Sequence, residues 1–348
     1  MDKRIDLRSD TVTKPTPEMK RAMAEAEVGD DVYREDPTVR RLEELTAEKL
    51  GKEAGLFVTS GTQGNQVAIA THAKSGEEVI AEAEAHIFYY EAAAVAAIAG
   101  AQIRQIVGNH GVLEADVVRR AIREPNVHHP RTALISVEDT HNRAGGTIFP
   151  VAKLQELYSV AREFGVPVHI DGARLFNAAV AEGVDPKQIA ANADTVQVCL
   201  SKGLCAPVGS VLVGSRDFIE EARQWRKRMG GGMRQAGVIA APGILALNTM
   251  VERLAEDHEN ARALAQLLAE VPGVSVDLDS VQTNIVIANI GKTGLSVSEF
   301  LSRLADESVL GTSFGDDLVR FVTHHDVTRQ EILQAAKKIQ QVILEARR

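Results

Sequence analysis

The chain has 348 residues, which is long enough for one large domain and one smaller domain. Apolar residues make up 45% and charged residues 25% of the sequence, as is ordinary for a soluble globular protein. The formal net charge of -9 disfavours nucleic acid as a partner, because neutralising phosphates requires a basic face.

We expect no targeting signal, since the N-terminal MDKRIDLRSD lacks the apolar stretch of a secretory signal. The longest run of low polarity, AAAVAAIAGA at 92–101, is far shorter than the roughly 20 residues of a membrane span, and its alanines predict a buried helix. Cys199 and Cys205 do not have the spacing of a redox or metal motif. The sequence therefore predicts a cytoplasmic protein with two buried free thiols and no metal site.

Short apolar runs alternate with helical patterns through the first two-thirds of the chain. Helix ends are readable: Thr16 and Asp36 each precede a proline, and Gly51 and Gly165 follow two of the helices. Near-continuous apolar runs are typical of strands covered on both faces, so the pattern predicts an α/β fold with a mostly parallel sheet. The seven predicted strands are 56–59, 78–81, 103–107, 132–138, 166–170, 195–200 and 210–214.

The last of these connections is too short for a crossover between parallel strands. Only residues 201–209 separate the runs at 195–200 and 210–214, whereas a parallel connection takes about a dozen residues or more. We therefore expect these two strands to be antiparallel neighbours, which places one antiparallel strand in an otherwise parallel seven-stranded sheet.

The pattern changes after Gly243. It predicts a large domain at residues 1–243 and a smaller C-terminal α+β domain at residues 244–348. The elements predicted for the smaller domain are a long helix at about 244–270, strands at 274–277 and 284–289, a helix at 296–306, strands near 309–313 and 318–323, and a helix at about 328–346.

Ligands of open α/β sheets bind beyond the carboxyl ends of the strands, so polar residues after the apolar runs are candidates for a site. SGTQGN at 60–65 leads into a helix, whose N-terminal N–H groups could hold a phosphate. It matches neither known glycine-rich nucleotide motif, and a tight turn without a ligand explains it equally well. Two more sets of polar residues lie at strand ends: His86, and the group Glu138, His141 and Asn142. Packing could account for the histidine, and loop hydrogen bonds could account for the group.

Asp171 and Lys202 follow two adjacent predicted strands. A buried carboxylate requires a cation or strong donors, so the partner of Asp171 is either Arg174 or a cation of a bound ligand. A lysine in a water-poor site becomes a nucleophilic amine suited to a Schiff base. A phosphate turn, a histidine, a buried acid and an amine together meet the requirements of pyridoxal phosphate, whose ring nitrogen must stay protonated.

The chain resembles the low-specificity L-threonine aldolases, which are fold type I pyridoxal-phosphate enzymes with the aspartate aminotransferase fold. The resemblance covers nearly the whole chain, and its motifs occur in order. They are DLRSDTVTKPT (6–16), VGDDVY (28–33), SGTQGNQ (60–66), AHIF (85–88), THN (140–142), HIDGARLFNA (169–178), CLSKGLCAPVGS (199–210), GGGMRQAG (230–237) and RFVTHHDV (320–327).

The resemblance implies a role for each matching residue. Lys202 matches the lysine that forms the Schiff base, and Asp171 matches the acid on the pyridine nitrogen. The phosphate-binding turn is matched by Gly61 and Thr62, and the histidine stacked on the ring by His86. The residues matched to the substrate carboxylate are Ser9, Arg174 and Arg320, with Arg174 also among those near the cofactor. Those matched to the cofactor phosphate from a neighbouring subunit are Lys227 and Arg234, and His128 resembles a second histidine near the substrate hydroxyl.

Three positions depart from the family pattern: Arg34 replaces a glycine, Asp139 replaces the asparagine of ENTHN, and His129 replaces a phenylalanine. None belongs to the implied cofactor site. His129 lies beside His128, so this departure bears on which threonine diastereomer is preferred.

The implied activity is reversible cleavage of L-threonine, L-allo-threonine and related β-hydroxy-α-amino acids to glycine and an aldehyde, within glycine biosynthesis. The general base is His86, His128 or a bound water. The resemblance also implies a homotetramer, a dimer of dimers with shared active sites. The alternatives are a racemase or β-eliminating lyase of the same fold, an aldolase that uses Lys202 without a cofactor, and a nicotinamide oxidoreductase, which the missing GxGxxG disfavours.

Overall fold

The strands and helices of the chain alternate as the sequence predicts. The computed structural model describes residues 4–346. In chain order, the strands are β1 (Ile5–Asp6), β2 (Ala54–Val58), β3 (Glu78–Glu82), β4 (Gln102–Ile106), β5 (Thr132–Glu138), β6 (Val168–Gly172), β7 (Thr195–Cys199), β8 (Ser210–Gly214), β9 (Ser275–Val276), β10 (Ile285–Asn289), β11 (Val309–Leu310), β12 (Thr312–Ser313) and β13 (Leu318–Val322). The helices are α1 (Pro17–Glu25), α2 (Pro37–Leu50), α3 (Gly61–His72), α4 (His86–Tyr89), α5 (Ala115–Ala121), α6 (Val151–Glu163), α7 (Leu175–Glu182), α8 (Pro186–Ala190), α9 (Arg216–Arg228), α10 (Gly237–Leu245), α11 (Leu254–Ala269), α12 (Val297–Asp306) and α13 (Arg329–Ala346).

A seven-stranded sheet forms the centre of the N-terminal part, as predicted. Its strand order is β2-β8-β7-β6-β5-β3-β4. β8 runs antiparallel to both of its neighbours, β2 and β7, and all other neighbouring strands pair in parallel. The predicted antiparallel strand is therefore confirmed. β3, β5, β6, β7 and β8 are buried along their whole length, which explains why their sequences are near-continuously apolar.

The C-terminal part has its own sheet and its own apolar core. Four antiparallel strands in the order β12-β13-β10-β9 pack with α11, α12 and α13. β1 pairs in parallel with β11, and Ile5 and Leu7 are buried in this same core. The N-terminal segment then reaches the large sheet, where the Thr13 hydroxyl donates to the carbonyl of Lys202 at 2.8 Å. A two-residue strand carries no periodic signal, so the sequence did not predict this connection.

The single long helix predicted at about 244–270 is wrong. α10 is followed by a π-helical turn at Ala246–Met250 and by three non-helical residues before α11 begins at Leu254. The two halves are bent by 69° at this break, while the apolar pattern continues across it. Within residues 4–346, no single helix is long and apolar enough to cross a membrane. Among these residues, only the bent pair meets the length and composition of a membrane span, and only when its two helices are counted together.

The domain boundary predicted at Gly243 falls inside α10. The four apolar clusters of the described residues nevertheless follow the predicted division for most of the chain. Three lie within residues 19–254, and the fourth contains Ile5, Leu7 and residues from Ala261 onward. The division into 1–243 and 244–348 stays a prediction, and its residues 1–3 and 347–348 lie outside the described residues.

The buried helix predicted at 92–101 is also wrong. Ala92 and Ala93 have positive φ and lead into a π-helical turn at Val95–Ala99. Val95 and Ala99 are buried, but most of the other residues are exposed, and Ile98 is 38% exposed. The low polarity of the segment predicted burial on all sides. In this single chain, only the side of the turn that carries Val95 and Ala99 packs against the rest of the protein.

Gly209 offers a test of the packing behind the β7–β8 connection. Its φ is +98°, and a methyl group there would overlap the ring of Phe57, which is fully buried. We expect Gly209→Ala to lower the free energy of unfolding. Overpacking against Phe57 should cost roughly 1–3 kcal/mol, and the left-handed backbone conformation should cost an alanine about 1–2 kcal/mol more. The measurement is the midpoint of urea unfolding.

Gly165→Ala is the matched control. Gly165 also has positive φ, +65°, but no heavy atom lies within 4 Å of the added methyl group. This variant should lose only the backbone component, so equal midpoints for the two variants would contradict the packing against Phe57.

Candidate active site

One cavity of about 290 Å³ lies where the large sheet meets the C-terminal sheet. Asn142 follows β5, Arg174 follows β6 and Lys202 follows β7, whereas Arg320 lies on β13. Side chains after three neighbouring strands therefore converge, as expected for an α/β sheet that binds ligands beyond its strand ends. The lining residues are Ser9, Thr11, His86, Tyr90, Asn142, Arg174, Lys202, Thr312, Ser313, Phe314 and Arg320.

Lys202 lies half-buried in the connection between β7 and β8. Its carbonyl accepts hydrogen bonds from the Thr13 hydroxyl and from the backbone N–H of Cys205, at 2.8 and 2.9 Å. Its ammonium acts electrostatically on two buried acids, Asp10 and Asp171, and helps to lower the pKa of both. The strand-end lysine thus has acidic partners that were not evident from its flanking sequence. Cys205 and Cys199 are buried and free, as predicted.

Asp171 is the residue before the last of β6 and is 2% exposed. Asn65 and Gln197 each donate a side-chain N–H to it at 2.7 Å, and the backbone N–H of Ala173 donates at 3.2 Å. Burial alone would raise the pKa of Asp171, but His86, Lys202 and these amides outweigh burial and lower it. The sequence-based alternative that Arg174 is its partner is wrong. Sequence reasoning missed both amides. Asn65 lies inside the SGTQGNQ motif, which was interpreted only as a phosphate turn, and Gln197 lies inside β7 in no quoted motif.

Arg174 forms a bidentate ion pair with Asp10. Nε and Nη2 donate to the two carboxylate oxygens at 2.7 Å each, and Asn284 donates to the same carboxylate at 3.1 Å. Burial opposes the charge of Asp10, but Arg174, Lys202 and Asn284 hold its pKa well below the ordinary value. Asp10 is a further site residue that was missed, although it lies inside the DLRSDTVTKPT motif.

Arg320 adds a second guanidinium to the cavity. It donates to Asn142 Oδ1 at 2.9 Å and to the carbonyl of Arg8 at 3.3 Å, and it lies over the Phe314 ring at 5.1 Å. Its buried Nε has no hydrogen-bond partner among the described residues. Burial, together with the nearby charge of Arg174, lowers the pKa of Arg320. Two guanidinium groups with spare donors suit a carboxylate ligand.

His86 lies at the start of α4 and faces three acids. Its Nδ1 is 2.9 Å from Glu91 Oε1, and its backbone N–H donates to Glu138 Oε2 at 2.7 Å. Burial would lower the pKa of His86, but Glu91, Asp171 and Glu138 together raise it. Its ring lies 5.5 Å from that of Tyr90. Glu91 was missed by sequence reasoning.

The predicted phosphate turn is the N-terminus of α3. Ser60 caps the helix by accepting from the N–H of Gln63, at 3.1 Å. The N–H groups of Gly61 and Thr62 lie in the first turn, where no intrahelical acceptor exists. They remain available to an anion.

Lys227 and Arg234 are exposed and flank the glycines at 230–232. Arg234 donates to Asp30 at 2.9 Å. Gly231 lies against the Gln63 side chain, so this loop is next to the phosphate turn of its own chain. Neither cation lines the cavity around Lys202.

His128 lies in the connection between α5 and β5, where it is exposed. Its backbone N–H donates to Asn126 Oδ1 at 2.9 Å. It is not among the residues that line the cavity, and its role near the substrate hydroxyl stays a prediction.

One group of potential metal ligands exists among the described residues. Ligand atoms of His86, Glu91 and Asp171 lie within 4.8 Å of one another. Asn65 donates to both acids and His86 contacts Glu91, so hydrogen bonds account for this arrangement. That the protein needs no metal stays a prediction.

Comparisons with known proteins find relatives that match nearly the whole chain. The model of the beta-eliminating lyase family matches residues 6–290. The chain is 41% identical to low-specificity L-threonine aldolase 1 of Arabidopsis thaliana, over 98% of this chain and 96% of the relative. It is 43% identical to the low specificity L-threonine aldolase of Escherichia coli K12, over 95% of this chain and 97% of the relative. The solved threonine aldolase of Leishmania major superposes with a TM-score of 0.83 at 20% identity, over 97% of this chain and 99% of that chain.

Asp139, one of the three departures, is a buried carboxyl group that does not line the cavity. It is fully buried after β5, and its Oδ1 accepts from the N–H of Phe149 at 3.1 Å, but its Oδ2 has no hydrogen-bond partner among the described residues. Burial raises the pKa of Asp139 well above its ordinary value, and the charges of Glu182 and Glu138 add to the effect.

We expect Asp139→Asn to stabilise the protein more at pH 8 than at pH 5. The folded state binds this proton more tightly than the unfolded chain does, so stability is lost as pH rises above the ordinary carboxyl pKa. The loss is at most about 1.4 kcal/mol per pH unit. Thermal unfolding midpoints at the two pH values measure it. Asp316→Asn, which removes one exposed charge, is the control; a stabilisation by Asp139→Asn that is equal at both pH values would contradict the expectation.

Proposed function

The chain belongs to the beta-eliminating lyase family, and from this premise and the site geometry we infer that it is a carbon–carbon lyase that depends on pyridoxal 5'-phosphate. It cleaves L-threonine, L-allo-threonine and related β-hydroxy-α-amino acids reversibly to glycine and an aldehyde. The observation that carries this conclusion is the juxtaposition of Lys202 and Asp171 beside a cavity that two arginines line.

The residues present fit the cofactor. Lys202 would hold its aldehyde covalently, Asp171 would hold its ring nitrogen protonated, and the first N–H groups of α3, from Gly61 and Thr62, would hold its phosphate. Asp171 suits this task because its amide donors and nearby cations favour the carboxylate despite burial. When bound, the cofactor supplies the electron sink that accepts the electron pair of the broken Cα–Cβ bond.

Arg174 and Arg320 orient the amino acid through its carboxylate. Asp10 fixes the guanidinium of Arg174 through two of its donors, and its remaining donors are available to a ligand in the cavity. Arg320 is held by Asn142 and has its Nε free of partners among the described residues. Two fixed guanidinium groups restrict the rotation of the bound substrate, which lowers the entropic cost of reaching the reactive geometry. Ser9 lies at the same cavity wall and would donate to this carboxylate.

The hydroxyl proton of the substrate must leave as the Cα–Cβ bond breaks. His86 is the histidine that lines the cavity, while His128 lies outside it in this chain. Either histidine or a bound water remains a candidate for the base.

A racemase or β-eliminating lyase of the same fold is the second candidate function. Identities of 41% and 43% to threonine aldolases over almost the whole chain favour cleavage. Incubation of the protein and pyridoxal phosphate with L-threonine or L-allo-threonine separates the candidates: glycine and acetaldehyde support cleavage, whereas a D-amino acid, or ammonia with a keto acid, would overturn it.

We expect Lys202→Ala to lose essentially all turnover, because the covalent attachment point of the cofactor is gone. Borohydride reduction should fix the cofactor to the unaltered protein but not to this variant. Lys337→Ala, on the exposed face of α13, is the control and should behave as the unaltered protein does. Retained activity and retained fixation in Lys202→Ala would remove Lys202 from the mechanism.

We also propose that the protein is a cytoplasmic homotetramer, a dimer of dimers, that contributes to glycine synthesis. Phe88, Tyr89 and Ile98 are exposed apolar side chains, and contact with a neighbouring subunit would cover such side chains. Lys227 and Arg234 would reach the cofactor phosphate of that neighbour. Their exposure supports this assignment.

Co-expression of Lys202→Ala and Arg234→Ala chains tests whether sites are shared. If Arg234 serves the neighbour, each mixed pair of subunits contains one site with both residues intact, and the mixture should regain activity that neither variant has alone. If Arg234 serves its own chain, every site carries one defect and the mixed protein should stay as inactive as the separate variants. Differently tagged chains allow the mixed species to be isolated before the assay.

A further inference from the structure

Glu91 is a buried carboxylate without a role in the function proposed above. It lies five residues after His86, and its side chain has no exposed surface. The His86 ring contacts Oε1 through Nδ1 at 2.9 Å, Asn65 donates to the same oxygen at 2.9 Å, and Gln66 donates to Oε2. Hydrogen bonds from three side chains fix the orientation of this buried carboxylate.

The hydrogen-bond network determines which atoms of Asn65 and His86 carry protons. The Asn65 amide nitrogen contacts both Glu91 and Asp171, while its oxygen faces His169 Nε2 at 3.2 Å. The opposite amide orientation would turn an oxygen toward two carboxylates, so the donor assignment is the one that satisfies all partners. Glu91 Oε1 is therefore an acceptor for Asn65, and the same oxygen accepts from His86 Nδ1–H.

Asp171 is not the acid that accepts a hydrogen bond from the His86 ring. Its oxygens already accept from Asn65, Gln197 and the backbone of Ala173. Three acids face His86: Glu91 from its own segment, Glu138 from the end of β5 and Asp171 from the end of β6. Glu138 contacts the backbone N–H of His86, not the ring, so Glu91 is the acid that bonds the imidazole.

We propose that Glu91 is a positioning residue that holds the His86 imidazole with its proton on Nδ1, which leaves Nε2 as the ring nitrogen that exchanges a proton in the cavity. Nε2 has no hydrogen-bond partner among the described residues, and His86 lines the cavity. A fixed tautomer of this kind directs the exchangeable position toward the ligand. The consequence for catalysis rests on the proposed function, but the tautomer does not.

The first test measures the tautomer directly in the unaltered holoenzyme. Nitrogen-15 NMR of histidine-labelled protein, with the His86 signals identified from their loss in His86→Asn, follows both ring nitrogens through a pH titration. We expect Nδ1 to stay protonated and Nε2 to titrate. A bare Nδ1 with a protonated Nε2 at high pH would overturn the proposal, and this result requires no Glu91 variant to fold.

The second test uses Glu91→Gln in the holoenzyme. Without this carboxylate, burial acts on His86 with less opposition and favours the neutral ring, so the NMR midpoint of His86 should move to lower pH. The corresponding limb of the kcat/KM profile should move in the same direction. Glu84→Gln, which removes an exposed acid from the same segment, is the matched control and should leave both unchanged. An unshifted His86 midpoint in Glu91→Gln would overturn the proposal.

A double variant separates action through His86 from a general effect on the fold. The His86→Asn variant lacks the kcat/KM limb of His86, so adding Glu91→Gln to it should leave the residual kcat/KM unchanged, because the two residues act as one unit. A fold-loss of kcat/KM on adding Glu91→Gln that is equal in both backgrounds would assign Glu91 a different role. If the protein proves not to cleave threonine while the tautomer is as expected, the proposed function fails and the positioning by Glu91 stands.

Discussion

The ion pair between Arg174 and Asp10 joins the three parts of the chain from which the site is built. Arg174 follows β6 of the large sheet, Asp10 belongs to the N-terminal segment, and Asn284, which precedes β10, donates to the same carboxylate. A buried ion pair contributes little net stability but is costly to break, because a lone buried charge remains. The pair therefore fixes the relative position of these segments and holds a guanidinium at the cavity.

Around this pair, amide donors add to the cations that balance the buried carboxylates. Asp171 accepts from Asn65 and Gln197, and Asn65 in turn donates to Glu91. Neutral donors stabilise a carboxylate without the long-range field of a cation. They leave the positive charges of Lys202 and the two arginines directed at the cavity, where an anionic amino acid and a phosphorylated cofactor would bind.

Sequence-based predictions were correct where they relied on local features of the sequence and wrong where the outcome depended on packing. Seven strands, the antiparallel β8 and the helix that starts after Ser60 were predicted correctly, because buried runs, a short connection and a glycine-rich helix start are local features. Phosphate binding at that helix start stays a prediction. The helix at 244–270 and the burial of 92–101 were predicted wrongly, since apolar composition continues across a break and does not indicate which face is covered. Gln197 and Glu91 lie in no quoted motif, and the motifs that contain Asp10 and Asn65 did not indicate their partners.

The sequence by itself determined the α/β class, the residues that follow each strand and the chemistry that a lysine and an acid at adjacent strand ends permit. Only the tertiary structure decided which charges are paired: Arg174 with Asp10 instead of Asp171, and His86 with Glu91. The physical reason is that strand ends and turns are specified by neighbours along the chain. The partner of a buried charge is whichever group packing brings within hydrogen-bond distance. For Asp10, these partners are Arg174 at a separation of 164 positions and Asn284 at a separation of 274.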